Sequence, residues 1–189
     1  MHSASLRPGD AEVAAIAARI DRPVVLVGLM GAGKSTVGRK LAALLKTEFV
    51  DADDAIEEAA AMTVAEIFEQ FGEPYFRDGE RRVIARLIAE GHGVIATGGG
   101  AFVNAETRAL VLEKGIAVWI DCDVATLVER TGRRGHRPLL KTGDPAEVLA
   151  RLHAERAPFY AEAPIRITSG STAHVDTALE IIEAIDRWL

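Results

Sequence analysis

The stretch Val24-Val25-Leu26-Val27-Gly28-Leu29-Met30-Gly31-Ala32-Gly33-Lys34-Ser35 decides the reading of the fold. A run of aliphatic residues enters a turn of the pattern G-x-x-x-x-G-K-[ST]. Val37, Leu41, Leu44 and Leu45 then follow at helical spacing. A buried strand that passes through glycines into a helix makes a phosphate cradle. The glycines let backbone N–H groups turn inward around an anion, and the helix N-terminus adds its positive end. Gly31, Ala32, Gly33, Lys34, Ser35 and Thr36 are therefore expected around the phosphates of a nucleotide, with Lys34 reaching the β- and γ-phosphates and the Ser35 hydroxyl placed to ligate Mg²⁺.

Outward from that stretch, strand and helix signals alternate. Apolar, largely β-branched runs at Pro23 to Val27, Glu48 to Asp51, Gly93 to Thr97, Ile116 to Asp121 and Pro164 to Thr168 read as parallel strands covered on both faces. Helix starts are legible between them. Thr63 with Glu66 makes a capping box, Asp144-Pro145-Ala146-Glu147 combines an N-cap with proline at the first helical position, and a last helix runs from about His174 to Leu189 with Leu179, Ile182 and Ile185 on one face. Alternation of this kind predicts an α/β fold with right-handed crossovers and a parallel sheet.

The chain has 189 residues, which fits one domain with a core of its own. Its net charge of −6 argues against general affinity for nucleic acid, so the basic cluster Arg130, Arg133, Arg134, His136, Arg137 and Lys141 calls for a smaller anion, with Arg133 and Lys141 read as solvated. The single cysteine, Cys122, reads as a buried inert thiol and fits a reducing cytoplasm. No apolar run has the roughly 18 residues that a membrane helix needs. Residues 1 to about 10 are expected to be loose, and Val13 to Ala18, bracketed by Asp10, Glu12 and Arg19, reads as a short amphipathic helix rather than a signal segment. Trp119 and Trp188 read as packing residues, and the histidines show no metal-ligand spacing.

A P-loop alone names no reaction, but further stretches narrow it. Phe49-Val50-Asp51-Ala52-Asp53-Asp54 puts two carboxylates at i and i+2 of an extended segment, pointing the same way; helix capping by Asp53 or Asp54 is the plainer alternative. Phe76-Arg77-Asp78-Gly79-Glu80 follows. Gly98-Gly99-Gly100 comes directly after a strand, where a ligand can approach backbone closely. Thr131-Gly132 and Arg137-Pro138-Leu139-Leu140 bracket the basic loop, and Glu155-Arg156-Ala157-Pro158-Phe159-Tyr160 comes last.

In order and spacing, from about Val24 to Tyr160, these stretches resemble the shikimate kinases. The resemblance implies a three-layer P-loop kinase fold with five parallel strands, like that of nucleoside monophosphate kinases. It also implies a substrate-binding helical segment at about 53–90 and a mobile lid at about 131–143, after an N-terminal extension at 1–20. It implies transfer of the γ-phosphate of ATP, with Mg²⁺, to the 3-hydroxyl of shikimate, on the route to aromatic amino acids, by a monomer. By the same resemblance, Asp53 contacts the substrate hydroxyls and Asp51 helps hold Mg²⁺ through water. Arg77 and Arg156 bind the substrate carboxylate, and Gly99, flanked by Gly98 and Gly100, makes a backbone contact. Arg137 reaches phosphate from the lid, and Arg130 lies near adenine. The rivals are another small-molecule kinase, such as a gluconate kinase, and a silent nucleotide-binding regulator, which would be expected to lack Lys34 or Asp53.

Overall fold

In the computed structural model, the structure describes residues 7–91, 93–133 and 143–189. The chain enters through α1 (Asp10–Ala17) and reaches β1 (Val24–Val27). It continues through α2 (Lys34–Leu45), β2 (Phe49–Asp51), α3 (Ala52–Ala60), α4 (Val64–Phe71), α5 (Glu73–Glu90) and β3 (Val94–Ala96). A short 3₁₀ turn (Ala101–Val103) leads to α6 (Ala105–Lys114), β4 (Ile116–Cys122), α7 (Val124–Gly132), α8 (Pro145–Tyr160), β5 (Ile165–Ser169) and α9 (His174–Trp188).

The strands form one parallel sheet in the order β2-β3-β1-β4-β5. β1 thus lies between β3 and β4, and the chain leaves β1 toward one edge and later returns to the other. In open α/β sheets ligands bind at the carboxyl ends of the strands at such a reversal. The register pairs Leu26 with Ala96, so the loop after β1 and the loop after β3 emerge side by side.

Helices on both faces explain the apolar strands: every residue of β1, β3 and β4 is buried. The two edges differ from the expectation of continuous burial. β5 alternates buried Ile165, Ile167 and Ser169 with exposed Arg166 and Thr168, and β2 is half-buried throughout. An edge strand has a neighbour on one side only, so its outer face stays wet.

The helix starts follow the local chemistry. Thr63 and Glu66 form the full capping box. Asp144 stands at the N-cap position with Pro145 next, but its side chain makes no cap bond, so proline carries that signal alone. Trp119 packs as expected, 5.8 Å from the Tyr160 ring and with the Arg166 guanidinium 4.4 Å from its own. Trp188 does not. It is 41 % exposed at the last turn of α9, where the helix has run past the core. Cys122 is buried, and burial pushes its thiol pKa up. No helix among the described residues is long and apolar enough to cross a membrane.

Candidate active site

The loop after β1 wraps inward as its glycines dictate. Gly31 and Gly33 take φ of +82° and +94°, the left-handed region that a side chain would strain. Gly33 caps α2, so the first N–H groups of that helix point into the loop. Lys34 is buried, and its Nζ donates to the Gly28 and Leu29 carbonyls at 2.7 and 2.8 Å. The ammonium is therefore held across the mouth of its own loop, where a phosphate would compete for it.

Next to the loop, the Ser35 hydroxyl bonds Asp51. Here the structure corrects the reading of Asp51 and Asp53 as one extended pair. β2 ends at Asp51, and α3 begins at Ala52. Asp51 is itself the N-cap and accepts from the Asp53 amide at 2.9 Å, so neither Asp53 nor Asp54 is the cap. The two carboxylates still reach one space, Asp51 from the strand end and Asp53 from the first helical turn. Asp54, which the sequence reading left unassigned, joins them, its pKa raised by burial and by the neighbouring Asp51 carboxylate.

These groups line a cleft of about 430 Å³. One wall is Met30, Gly31, Gly33, Lys34, Ser35 and Thr36. The other brings Asp51, Asp53, Asp54, Thr97, Gly98 and Gly99, with Arg130, Arg133 and His174 at the far end. Arg130 ties that end together, donating to Ala32 O at 3.2 Å on the loop and to Gly170 O at 2.8 Å beyond β5. Arg133 is exposed, as expected of a solvated face, and pairs with Glu129 at 2.7 Å while bordering the cleft. Ala32, Arg77, Gly100 and Arg156 are not among the cleft-lining residues.

The last three gather next to the cleft, and the triple glycine shows how closely. A Cβ on Gly98 would lie 2.6 Å from Glu80 Oε2 and 3.2 Å from Asp53 Oδ1; on Gly99, 3.2 Å from Arg156 Nη1; on Gly100, 2.5 Å from Arg77 Nη1. Gly99 and Gly100 each floor one of these side chains and Gly98 floors two, and a larger residue would press against them. Tyr160, buried and with a pKa raised by burial to about 12, bonds the Gly99 carbonyl through its hydroxyl and fixes the floor from α8.

Glu80, at the end of the stretch Phe76 to Glu80, has no role assigned from sequence and takes a central place in the structure. It is 2 % exposed and takes the Arg77 guanidinium at 3.0 Å through Oε1. Burial raises its pKa, the Arg77 charge pulling the other way. The available signal was Arg77 and Glu80 at i, i+3 of one helix, a pair that meets on one face. Two buried polar atoms of this corner have no hydrogen-bond partner: Glu80 Oε2 and Arg156 Nη1.

Thr131 and Gly132, the first residues of the segment expected as a lid, complete α7, and Thr131 Oγ1 bonds Leu127 O. Arg134, His136, Arg137 and Lys141 lie outside the described residues, as do residues 1–6. Residues 7–10, expected to be loose, are partly engaged: Arg7 pairs with Asp176, and α1 starts at Asp10.

Comparison with known proteins gives the family and agrees with the fold. The family model described as shikimate kinase matches residues 30–186. A shikimate kinase of Novosphingobium aromaticivorans is 61% identical over 192 residues, spanning 100% of this chain and 99% of its own. The solved shikimate kinase from Acinetobacter baumannii in complex with shikimate superposes with a TM-score of 0.85 at 40% identity, covering 88% of this chain and 93% of its own. A gluconokinase from Sinorhizobium meliloti gives a TM-score of 0.59 at 15% identity, covering 90% of this chain and 94% of its own, a likeness of fold alone. The chain belongs to the shikimate kinase family.

Proposed function

We propose that the protein moves the γ-phosphate of ATP to the 3-hydroxyl of shikimate, giving shikimate 3-phosphate and ADP, within aromatic amino-acid biosynthesis. The observation that carries the acceptor is the unpaired, buried Arg156 Nη1 over Gly99, next to the Arg77 guanidinium over Gly100. A buried charged donor without a partner is costly, and a planar carboxylate is what two guanidinium forks best satisfy.

The phosphates sit on the loop Gly31 to Thr36, and Lys34 leaves the Gly28 and Leu29 carbonyls to take them. Arg130 lies at the adenine end; Arg137, which the family resemblance assigns to the phosphates, lies outside the described residues. The Ser35 hydroxyl and Asp51 fit Mg²⁺: both offer hard oxygen, and they already touch. Among the described residues no group of three or more acidic, His or Cys side chains could enclose a metal, which suits an ion that keeps its waters and leans on substrate phosphates. Ser35 and Asp51 would hold Mg²⁺ there, and the ion would supply positive charge to offset that of the nucleotide phosphates.

With the carboxylate clamped by Arg77 and Arg156 and the ring over the glycines, Asp53 meets the acceptor hydroxyl. It orients the oxygen and takes its proton as the new O–P bond forms and the bond to the β-phosphate bridging oxygen breaks, the electron pair leaving with ADP. A monomer working in the cytoplasm is part of the same reading. Lys34 and Asp53 are both present, which counts against a silent regulator.

A coupled ADP-release assay over a panel of polyol acids tests this. Release that depends on shikimate and not on gluconate is expected. Gluconate-dependent release, or none with any acid, overturns it.

A further inference from the structure

The residues ahead of the family match, which begins at residue 30, include an ordered helix with no assigned task. We infer that the segment from Arg7 to Arg19 is a positioning element for the nucleotide end of the cleft. This rests on reading that cleft as the nucleotide site.

The anchoring is specific. α1 packs against both α2 and α9, which also pack against each other. Its apolar side is small, consisting of Val13 and Ile16, both buried in the common core. Charges fix its direction. Arg7, ahead of the helix, lies 2.7 Å from Asp176 in the first turn of α9. Arg19, behind the helix, bonds Asp186 near the last turn of α9. The segment therefore runs along α9 in the same direction, pinned at both ends.

Those two helices deliver the cleft. Lys34, Ser35 and Thr36 come from the first turn of α2, and His174 is the first residue of α9. Their N-termini meet there: a Cβ on Gly33 would lie 3.6 Å from His174 Cε1. Arg130 bridges the loop before α2 to Gly170, shortly before α9. A brace across α2 and α9 sets the distance between the two helix starts, and small displacements of positioning groups have large effects on binding and rate. Arg77, Glu80 and Arg156 lie on α5 and α8, which the segment does not brace. The consequence is asymmetric, falling on ATP and sparing the acceptor.

The test uses the full-length chain with Arg7→Glu and Arg19→Glu, turning both attractions into repulsions. Because exposed ion pairs are individually weak, the expected change is a rise in KM for ATP of about three- to tenfold. KM for shikimate should stay within about twofold, and calorimetric ATP binding without shikimate should weaken in step. Adding Asp176→Arg and Asp186→Arg restores both pairs with signs exchanged and should bring KM for ATP back. A lower melting temperature with KM for ATP unmoved would show a merely structural helix. An equal rise in both KM values, or failure of the exchanged pairs to restore ATP binding, would also overturn the inference. Lys34→Ala separates the premise: near-normal turnover in that variant would sink the nucleotide reading itself.

Discussion

The two ends of the cleft are built from different material. The phosphate end is mostly backbone: inward-turned glycine amides and a helix N-terminus, with Lys34 already bonded to carbonyls of its own loop. The acceptor end is mostly side chain. Asp53, Glu80, Arg156 and Arg77 stand over three glycines, and two of their buried polar atoms are unpaired. At one end the lysine is bonded within its own loop before a ligand arrives, and at the other Glu80 Oε2 and Arg156 Nη1 have no hydrogen-bond partner. A backbone cradle recognises what all nucleoside triphosphates share, whereas specificity needs unpaired buried groups that only the right substrate completes.

If the division holds, the largest loss follows from the residue that joins the ends. Asp53→Asn keeps the size and hydrogen bonding but removes the charge and the proton acceptor. Turnover should fall by roughly 10²–10⁴, the span for general-base groups. A loose transition state would make the loss smaller and move it into shikimate binding. Asp51→Asn should instead raise the Mg²⁺ concentration needed for half-maximal rate, because Asp51 is the Ser35 partner. A Mg²⁺ titration of both variants at saturating ATP and shikimate checks this, and a shifted requirement in the Asp53 variant alone would mean the roles are exchanged. Next comes Lys34→Ala, expected to cut turnover by roughly 10²–10³ while leaving shikimate binding without nucleotide nearly unchanged. A drop in that binding measured by calorimetry would show that the two ends are not separable.

The same division governs how much could be read from the sequence. The backbone end was legible because G-x-x-x-x-G-K-[ST] is local: strand, turn and helix are contiguous, and each residue type has one physical reason to be there. The sheet was legible from alternation, though β5 at the edge broke the expected continuous burial. The acceptor corner was legible only through family resemblance. Arg77, Gly99 and Arg156 are brought together by α5, β3 and α8, and no spacing rule joins residues so far apart. Glu80 stayed unassigned because a helical Arg-x-x-Glu is usually a surface pair, and only the fold buries it. Asp51 became a cap, instead of one of an extended pair, because β2 ends at Asp51 as expected and the backbone turns helical at once, with α3 starting at Ala52.

A smaller effect is expected from Arg156→Ala. Arg156 as a whole is half-buried although its Nη1 is buried, so the low end of the cost of truncating one partner of a charge pair applies, about 2 kcal/mol or roughly 30-fold in shikimate affinity. Nucleotide affinity should hold within a factor of about two. Titration calorimetry with each ligand separately gives the answer, and a loss on the ATP side would place Arg156 at the wrong end.

The smallest effect is the most telling about the unpaired corner. Glu80 keeps one oxygen on Arg77 and leaves the other buried without a partner, so its ionised form is held in the folded protein at some cost. Burial raises its folded pKa above the ordinary value of 4.5. Between that ordinary value and the raised one, the folded state holds a proton that the unfolded chain has released. Stability therefore declines as pH rises through that window, and it is greatest on this account below it. Glu80→Gln removes the titration but keeps an oxygen for Arg77. The difference in unfolding free energy between Glu80→Gln and the parent, followed by urea titration from pH 4 to neutrality, should shift in favour of the variant as pH rises. Shikimate affinity should fall about fivefold, the scale of one weakened hydrogen bond to a charged group. Parallel pH curves would mean that Glu80 does not carry its charge at a cost, and the contrast between a lysine bonded within its own loop and an unpaired acceptor corner would then rest on Arg156 alone.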